Sequence, residues 1–266
     1  MGNDKDTSSQ EQCIRSNFLS FISSDIPSLA VAMLKEGDFI LMHYTAKIKE
    51  TGEVFDTTIE EDAKKNNIYK EGVKYKPLFV IVGEGRLVQG LEEAIKELDV
   101  NQEKEIEVPP EKGFGLRDAN KIKIVSLGEL KRQGINPYPG MELRTESGER
   151  AIVRSVSGGR VTLDFNHPLS GKTLIYKVKI LKKVEEPMER ISLLLEKWFE
   201  IDATKFNVTV TNNNSEVEII IPRELFSSNL LQVSKVIVAK YIIDYIYPNA
   251  KIKYIEVYDR DAVSKK

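Results

Sequence analysis

Residues 77–98 read PLFVIVGEGRLVQGLEEAIKEL, and this stretch decides the fold of the chain. Residues 78–82 form a short apolar run rich in β-branched side chains, which predicts a strand. Gly83 and Gly85 interrupt the run at a tight turn. Apolar residues at helical spacing then indicate a short helix; they are Leu87, Leu91, Ile95 and Leu98. The stretch therefore predicts a strand, a turn and a short helix.

A glycine-rich turn between a strand and a helix is also typical of phosphate-binding loops, because it presents backbone N–H groups and a helix N-terminus to an anion. The glycines here lie at positions 83, 85 and 90, which matches neither the dinucleotide-binding spacing nor the P-loop spacing. No further alternation of strands and helices follows within the domain. The spacing therefore argues against a nucleotide site.

The composition limits the possible functions. The chain has 266 residues, of which 41% are hydrophobic, so it can form a substantial core and more than one domain. Its 39 Lys and Arg residues nearly balance 41 Asp and Glu residues, which gives a formal charge of −2. This balance creates no global basic field, so we expect no nucleic-acid partner. The single cysteine, Cys13, cannot form an internal disulfide, so the fold requires no oxidising compartment.

Residues 1–33 are polar and serine-rich apart from an apolar stretch at 18–32. Asp25 and Pro27 interrupt that stretch and acidic residues precede it, which disfavours a signal peptide. No apolar window is long enough for a transmembrane helix, so we expect a cytoplasmic protein without a membrane partner. Two interpretations of residues 1–33 remain open: a flexible extension of the domain, or an upstream extension from a wrongly chosen start codon.

Alternating patterns on either side of the opening stretch predict further strands at residues 39–48 and 103–108. Pro109 and Pro110 end the second of these strands. The charged and weakly periodic residues 56–76 predict a loop with some helical turns.

The character of the sequence changes twice further along the chain. SLGELKRQG (residues 126–134) predicts a helix, and three short β patterns follow it: MELRTE, RAIVRSV and RVTLDF. A structureless loop of this length is uncommon in a compact domain, so we interpret residues 116–165 as an inserted subdomain. After position 187, the patterns predict a helix, a hairpin, a second helix at 230–246 and a strand at 251–258.

Four segments in this order resemble the family of FKBP-type peptidyl-prolyl cis-trans isomerases. They are the opening stretch, YTAKIKETGEVFDTT (44–58), PPEKGFG (109–115) and NHPLSGKTLIYKVKIL (166–181). The insertion resembles the insert-in-flap domain of the SlyD-like branch, and the C-terminal part resembles that of long archaeal members. The resemblance implies an α+β fold with three parts. An FKBP-like antiparallel sheet with a short central helix occupies residues 34–115 and 166–185, and a small β-rich insert-in-flap subdomain (116–165) interrupts it. A C-terminal α+β domain (187–266) follows.

The resemblance also implies an isomerase that requires no cofactor. Its catalytic positions fall on Tyr44, Phe55, Asp56, Val88, Phe114 and Tyr176. Substrate-binding positions fall on Leu78, Leu87, Leu91, His167 and Leu169, and we add Ile135 and Tyr138 in the insertion. Asp56 is expected to orient a substrate carbonyl or Tyr44, and not to act as a general base. Ordinary core packing explains Leu78 and Leu87 equally well.

The chain departs from the family pattern at two of these positions. Leu91 stands where many members carry tryptophan, and Phe114 stands where tyrosine is common, so we expect a wider pocket with one hydroxyl fewer. The two histidines, His43 and His167, lack the partners and spacing of a metal site, so we predict no metal. His167 lies near the pocket entrance or makes a structural hydrogen bond; both interpretations remain open.

The leading hypothesis is an isomerase that assists protein folding, with the insertion capturing unfolded or proline-containing polypeptides. The alternative is a holdase chaperone with little turnover. Side chains of the insertion either line a polypeptide groove or form the insertion's own core, and we favour the core for Leu130 and Met141. The C-terminal domain is expected either to pack against the rest of the chain or to self-associate, and self-association would give a homodimer. The side chains considered for the groove are Leu127, Leu130, Ile135, Pro137, Tyr138 and Met141.

Overall fold

The computed structural model describes residues 34–145 and 147–260. The described residues from Leu34 onward form one compact unit. Both interpretations of residues 1–33 concern a segment outside the described residues.

A five-stranded antiparallel sheet, which we call the central sheet, organises this unit. β1 is its hub, because β2 and β3 pair with opposite ends of one edge of β1 while β9 pairs along the whole of the other edge. β4 completes the sheet beyond β9. The predicted strands at 39–48 and 103–108 are confirmed with the same bounds. The strands are β1 (Phe39–Ile48), β2 (Val54–Thr57), β3 (Leu78–Ile81), β4 (Glu103–Val108) and β9 (Leu174–Val184).

Two short helices accompany the central sheet, α1 (Glu60–Lys65) and α2 (Gln89–Ile95). α1 supplies the helical turn that the charged residues 56–76 predicted. α2 buries Leu91 and Ile95 against one face of the sheet, where it meets Ile40 and Met42 of β1. Since side chains alternate between the two faces of a strand, these positions of β1 share one face. The first hydrophobic core therefore lies between α2 and the central sheet.

The insertion forms a sheet of its own between β4 and β9, with strand order β5-β8-β7-β6. The sequence predicted three strands here, and the structure has four, because IKIVS forms β5. The predicted helix is confirmed as α3, which begins directly after β5. The elements are β5 (Ile122–Ser126), α3 (Leu127–Arg132), β6 (Glu142–Arg144), β7 (Arg150–Ser157) and β8 (Arg160–Asp164).

The C-terminal segment, residues 187–260 of the described chain, has the predicted order of helix, hairpin, helix and strand. Its first helix begins at a proline, which suits the first helical position because no hydrogen bond is lost there. The hairpin strands are antiparallel, and the last strand joins them in parallel. The elements are α4 (Pro187–Phe199), β10 (Asn207–Thr211), β11 (Glu216–Ile220), α5 (Leu231–Tyr245) and β12 (Lys251–Ile255).

This segment covers the second face of the central sheet. Phe39, Ile81 and Val184 point away from α2 and are fully buried, in one core with Leu194 of α4 and Val238 of α5. Both faces of the central sheet are therefore covered by apolar packing. The predicted α+β class with antiparallel sheets is confirmed; the domain boundaries remain a prediction.

Candidate active site

Three aromatic side chains converge on the α2 side of the central sheet. The ring centroid of Tyr176 lies 6.1 Å from that of Tyr44 and 6.3 Å from that of Phe55, and the Phe55 ring is perpendicular to the Tyr176 ring. β1 and β9 pair Ala46 with Tyr176, and β2 continues beside β1, so neighbouring strands supply the three rings. Tyr176 is buried, whereas Tyr44 and Phe55 are only partly buried. We call these three residues, with Val88 and Phe114, the aromatic site.

Aliphatic side chains from the opening stretch complete the wall. Leu87 and Val88 are partly buried against the same core, and Leu91 of α2 is 2% exposed beneath them. Leu78 belongs to this packing too, at the start of β3. The predicted floor position of Leu91 thus lies inside the core, while Leu87 and Val88 keep surface available to a ligand.

One carboxylate adjoins the aromatic site. The Tyr44 hydroxyl donates a hydrogen bond of 2.6 Å to Asp56 Oδ2, and Asp56 itself is exposed. Burial and this hydrogen bond raise the pKa of Tyr44 far above its usual value. Burial, helped by the Asp56 charge, raises the pKa of Tyr176 to about 12. Both phenols are therefore neutral at pH 7, and the Tyr44 oxygen remains free to accept a hydrogen bond.

Two threonines that the sequence analysis did not single out hold Tyr44 in place. Thr58 Oγ1 accepts a 3.0 Å hydrogen bond from the Tyr44 backbone N–H, and Thr57 Oγ1 donates one of 3.0 Å to the Tyr44 carbonyl. His43 Nδ1 lies 2.9 Å from Thr58 Oγ1. The DTT that follows Phe55 carried the signal, since hydroxyls next to a strand end commonly bond to backbone groups.

Phe114 and His167 close the side of the site that faces the insertion. Their rings are stacked and nearly parallel, with centroids 4.4 Å apart and planes 2° apart. Nδ1 of His167 accepts a 3.2 Å hydrogen bond from the Leu169 backbone, and Leu169 packs against the core beside Phe114. Burial, and less strongly the charge of Arg150, lower the pKa of His167. The structure thus gives His167 both a position beside the aromatic site and a structural hydrogen bond.

The two insertion residues predicted to bind substrate lie apart from the aromatic site. Ile135 packs against the insertion's own core, together with Leu127 and Met141. Tyr138 is 62% exposed, and Leu130 is buried. Packing therefore accounts for Ile135, whereas Tyr138 is available to a partner.

A cavity of about 780 Å³ lies on the opposite face of the central sheet. Its lining includes Leu41, Phe79 and, from α4, Leu193 and Lys197. Leu78 is the one predicted site residue that borders it. The cavity therefore does not coincide with the aromatic site, where the Tyr44–Asp56 pair lies.

Residues 34–145 and 147–260 contain neither a candidate metal cluster nor a membrane-spanning helix. No group of three or more His, Cys, Asp or Glu side chains in these ranges could hold a metal ion. No helix in the same ranges has the length and apolar character needed to span a membrane.

The fold and site together define an α+β protein in which an antiparallel sheet and a short helix support an aromatic binding site with one adjacent carboxylate. Comparison with known families matches residues 123–169 to the model described as "FKBP26, IF domain". Residues 187–259 match the model described as "FKBP26_C-terminal".

Individual proteins are similar over about half of the chain. The short-type peptidyl-prolyl cis-trans isomerase of Methanocaldococcus jannaschii is 40% identical over 150 residues, which are 56% of this chain and 94% of that protein. The FKBP-type peptidyl-prolyl cis-trans isomerase SlyD of Helicobacter pylori is 31% identical over 134 residues, 49% of this chain and 69% of that protein. The FKBP-type 16 kDa isomerase of Escherichia coli is 27% identical over 146 residues, 54% of this chain and 89% of that protein.

The chain belongs to the family of FKBP-type peptidyl-prolyl cis-trans isomerases. The predicted family and enzyme class are thereby confirmed.

Proposed function

We propose that the aromatic site binds an Xaa-Pro segment of a polypeptide and accelerates rotation about its imide bond. Resonance imposes a barrier of about 18–20 kcal/mol on this rotation in water. The twisted transition state has lost that resonance, so its carbonyl is less polar than in the planar ground state. An apolar site therefore stabilises the transition state relative to the ground state, and no nucleophile is required.

The observation that carries this proposal is the cluster of three aromatic rings with a single carboxylate beside it. The rings of Phe55 and Tyr176 and the Val88 side chain would receive the proline. Asp56 would hold the Tyr44 hydroxyl so that its oxygen meets the substrate backbone, which is an orienting role and not proton transfer. The three relatives described above are all named as peptidyl-prolyl cis-trans isomerases, which supports the same activity.

The test is cis–trans exchange in a short Xaa-Pro peptide, measured by NMR with catalytic amounts of the full chain. We expect exchange cross-peaks with the wild type and a roughly tenfold loss of kcat in Asp56→Ala, because Tyr44 loses its orienting partner. Glu107→Ala is the matched control, since Glu107 is an exposed acid on β4 that pairs with Lys49. Its turnover should equal that of the wild type.

The alternative function is a holdase chaperone with little turnover. It rests on Leu91 and Phe114, which replace the side chains common in the family. Absence of exchange with a wild-type sample that still suppresses aggregation of an unfolded client would favour this alternative. Equal turnover in Asp56→Ala and wild type would remove Asp56 from the site.

The insertion is proposed to act as an insert-in-flap chaperone domain that captures unfolded polypeptide. β5 is an edge strand of its sheet and exposes Ile124 by 65%. Leu116 and Tyr138 are also largely exposed. An edge strand offers unpaired backbone groups to an extended chain, and exposed apolar side chains add sequence-tolerant contacts.

Deletion of residues 116–165 tests this part of the proposal. Gly115 and Gly171 are joined by a 2.9 Å backbone hydrogen bond, so the remaining chain can close as a short loop. We expect short-peptide turnover to persist and catalysis of protein refolding to fall by at least about tenfold, since tethered capture raises the local substrate concentration. Ile124→Lys should reproduce part of the loss, and Val257→Lys, an equally drastic change at an exposed C-terminal position, should not. Equal loss of both activities in the deletion would contradict two separate sites.

Self-association through the C-terminal segment is a further part of the proposal. α5 exposes Val233 and Val236 by 55% and 70%, and Leu230 at its start by 65%. Sedimentation of the wild type and of Val236→Lys would measure it, and a monomeric wild type would contradict it.

A cytoplasmic site of action is also proposed, since one cysteine provides no internal disulfide.

A further inference from the structure

The turn at residues 83–88 contains a glutamate whose side chain is largely buried although it lies in a loop. The Glu84 side chain is only 8% exposed, between β3 and α2. Gly83 and Gly85 on either side of it have φ values of +84° and +74°, a conformation that favours glycine. Burying a carboxylate without partners is costly, so a buried glutamate is expected to be paired and hydrogen-bonded.

The partners of Glu84 come largely from the C-terminal segment. Its Oε1 accepts hydrogen bonds from the Tyr241 hydroxyl of α5 and from Arg86 Nε of the same turn. Its Oε2 lies 3.5 Å from Lys197 Nζ of α4. The carboxylate therefore joins the turn to both C-terminal helices.

Aromatic rings lie against these charges. The Arg86 guanidinium lies 4.6 Å from the Trp198 ring centroid, and the Trp198 ring stacks on Tyr241 with centroids 5.8 Å apart. Lys197 Nζ lies 5.0 Å from the Phe79 ring centroid. Burial lowers the pKa of Lys197, and the Glu84 charge counteracts that effect. In this low-dielectric surrounding a charge-assisted hydrogen bond is stronger than on the surface.

The inner side of the turn is fixed by α2. Glu92 Oε1 accepts a 2.6 Å hydrogen bond from the Gly83 N–H, and Glu92 Oε2 accepts one of 3.3 Å from the Leu87 N–H. The Val88 carbonyl accepts from the first turn of α2. With Glu84 anchored outside and Glu92 inside, little freedom remains to Leu87 and Val88, which form the wall of the aromatic site.

We propose that Glu84 is a positioning residue through which the C-terminal segment holds Leu87 and Val88 in place for substrate binding. The inference rests on the proposed isomerase function of the aromatic site. Glu84 does not itself contact that site; it acts through the turn. The C-terminal segment thus contributes to substrate affinity from the opposite face of the central sheet.

The first test compares Glu84→Gln with Glu97→Gln in the full chain. Glu97 is an exposed glutamate just beyond α2, so it controls for loss of one charge near the same helix. The proline ring that Val88 would contact keeps its shape while the imide bond twists, so we expect Glu84→Gln to raise KM about three- to tenfold with kcat within about twofold. Amide chemical shifts of Leu87 and Val88 should move in Glu84→Gln and stay unchanged in Glu97→Gln.

The second test is the double variant Glu84→Gln with Lys197→Gln. It removes both charges and keeps two side chains that can hydrogen-bond, so we expect it to recover most of the lost affinity. Lower unfolding free energy with unchanged KM and unchanged Leu87 and Val88 shifts would assign Glu84 a purely structural role and overturn the proposal.

If the wild type lacks isomerase activity, the Glu84 proposal is tested by peptide binding. If the wild type produces no exchange, peptide affinity is measured by NMR titration in place of KM. A weaker affinity and shifted Leu87 and Val88 amides in Glu84→Gln would then still support positioning. Unchanged values of both would overturn it.

Discussion

The insertion and the C-terminal segment are attached to the same central sheet in opposite ways. The core of the insertion draws all its residues from Val125 to Phe165. The core of the C-terminal segment includes Phe39, Ile81 and Val184 of the central sheet, each fully buried. The insertion therefore completes its own apolar packing, whereas the C-terminal segment and the sheet complete each other's.

The junction of the insertion is polar instead. Asp164, 1% exposed at the end of β8, pairs with Arg117 and with Arg154, the latter at 2.9 Å. The Asn166 side-chain amide donates to the Asp164 carboxylate and to the Asp118 backbone carbonyl. The side-chain oxygen of Asn166 accepts from the Asp118 backbone N–H. A junction made of hydrogen bonds can open without exposing apolar area to water. The apolar junction of the C-terminal segment cannot, so we expect the two segments to differ in their coupling to global stability.

The largest expected effect comes from replacing a leucine by alanine, once in each of the two cores. Leu194→Ala in α4 should lower the free energy of global unfolding by about 2–5 kcal/mol, because it leaves a cavity in the shared core. Leu163→Ala in β8 should destabilise the insertion and leave β1 and β9 protected from exchange. Urea unfolding measures the global loss of stability, and hydrogen exchange shows whether the loss of protection is confined to the insertion. Loss of β1 protection in Leu163→Ala would show that the core of the insertion is not independent of the central sheet.

Asp164→Asn should have an intermediate effect. The variant keeps the shape of the side chain but loses charge-assisted bonds worth about 1.5–3 kcal/mol, so insertion amides should exchange faster. The central sheet should keep its protection. Glu129→Gln, an exposed change on α3, is the control and should leave exchange unchanged. A fall in global stability equal to that of Leu194→Ala would show that this junction is not independent.

The Asp164 junction should also depend on pH. Burial alone would raise the pKa of Asp164, but hydrogen bonds from Asn166 and the nearby arginines lower it overall. A depressed folded pKa means that the stabilisation is complete above the unfolded carboxyl pKa of about 3.9 and is lost as pH falls through the folded value. The difference in insertion protection between wild type and Asp164→Asn should therefore shrink below about pH 3.9. A difference that grows on acidification would contradict this assignment.

The smallest effect is expected where the insertion meets the aromatic site. His167→Ala removes the stack on Phe114, which is worth about 0.5–1.5 kcal/mol. We expect a modest rise in KM for short peptides and little change in unfolding free energy. His167→Phe should restore the affinity, since it keeps an aromatic ring. Equal KM in all three proteins would remove the stack from substrate binding.

Much of the architecture could be predicted from the sequence, because alternation is clear in β4 and helical spacing of apolar residues is clear in α4. β5 was missed because IKIVS runs directly into the predicted helix, with no Gly or Pro between them to mark the end of a strand. The aromatic site followed from the family motifs at Tyr44 and Phe55, not from periodicity alone.

The shared core could not be assigned beforehand, although FILM at the start of β1 carried a signal. Four consecutive apolar residues on a strand imply that both of its faces are covered. The sequence did not identify the covering element, since the buried contacts of Phe39 are made by residues of α4 and α5 far along the chain. The partners of Glu84 were hidden for the same reason: Tyr241 is distant in sequence and adjacent in space.

The pairing of β1 with β9 has a consequence for synthesis on the ribosome. β1 is made early, but its partner along the whole of one edge, Leu174–Val184, is made only after the insertion. The strands of the insertion pair only with one another among the described residues, so they can fold as soon as residue 164 has emerged. The central sheet must wait for β9, and long-range pairing of this kind is slow. The chain therefore finishes its proposed polypeptide-capturing part before the sheet that carries its aromatic site.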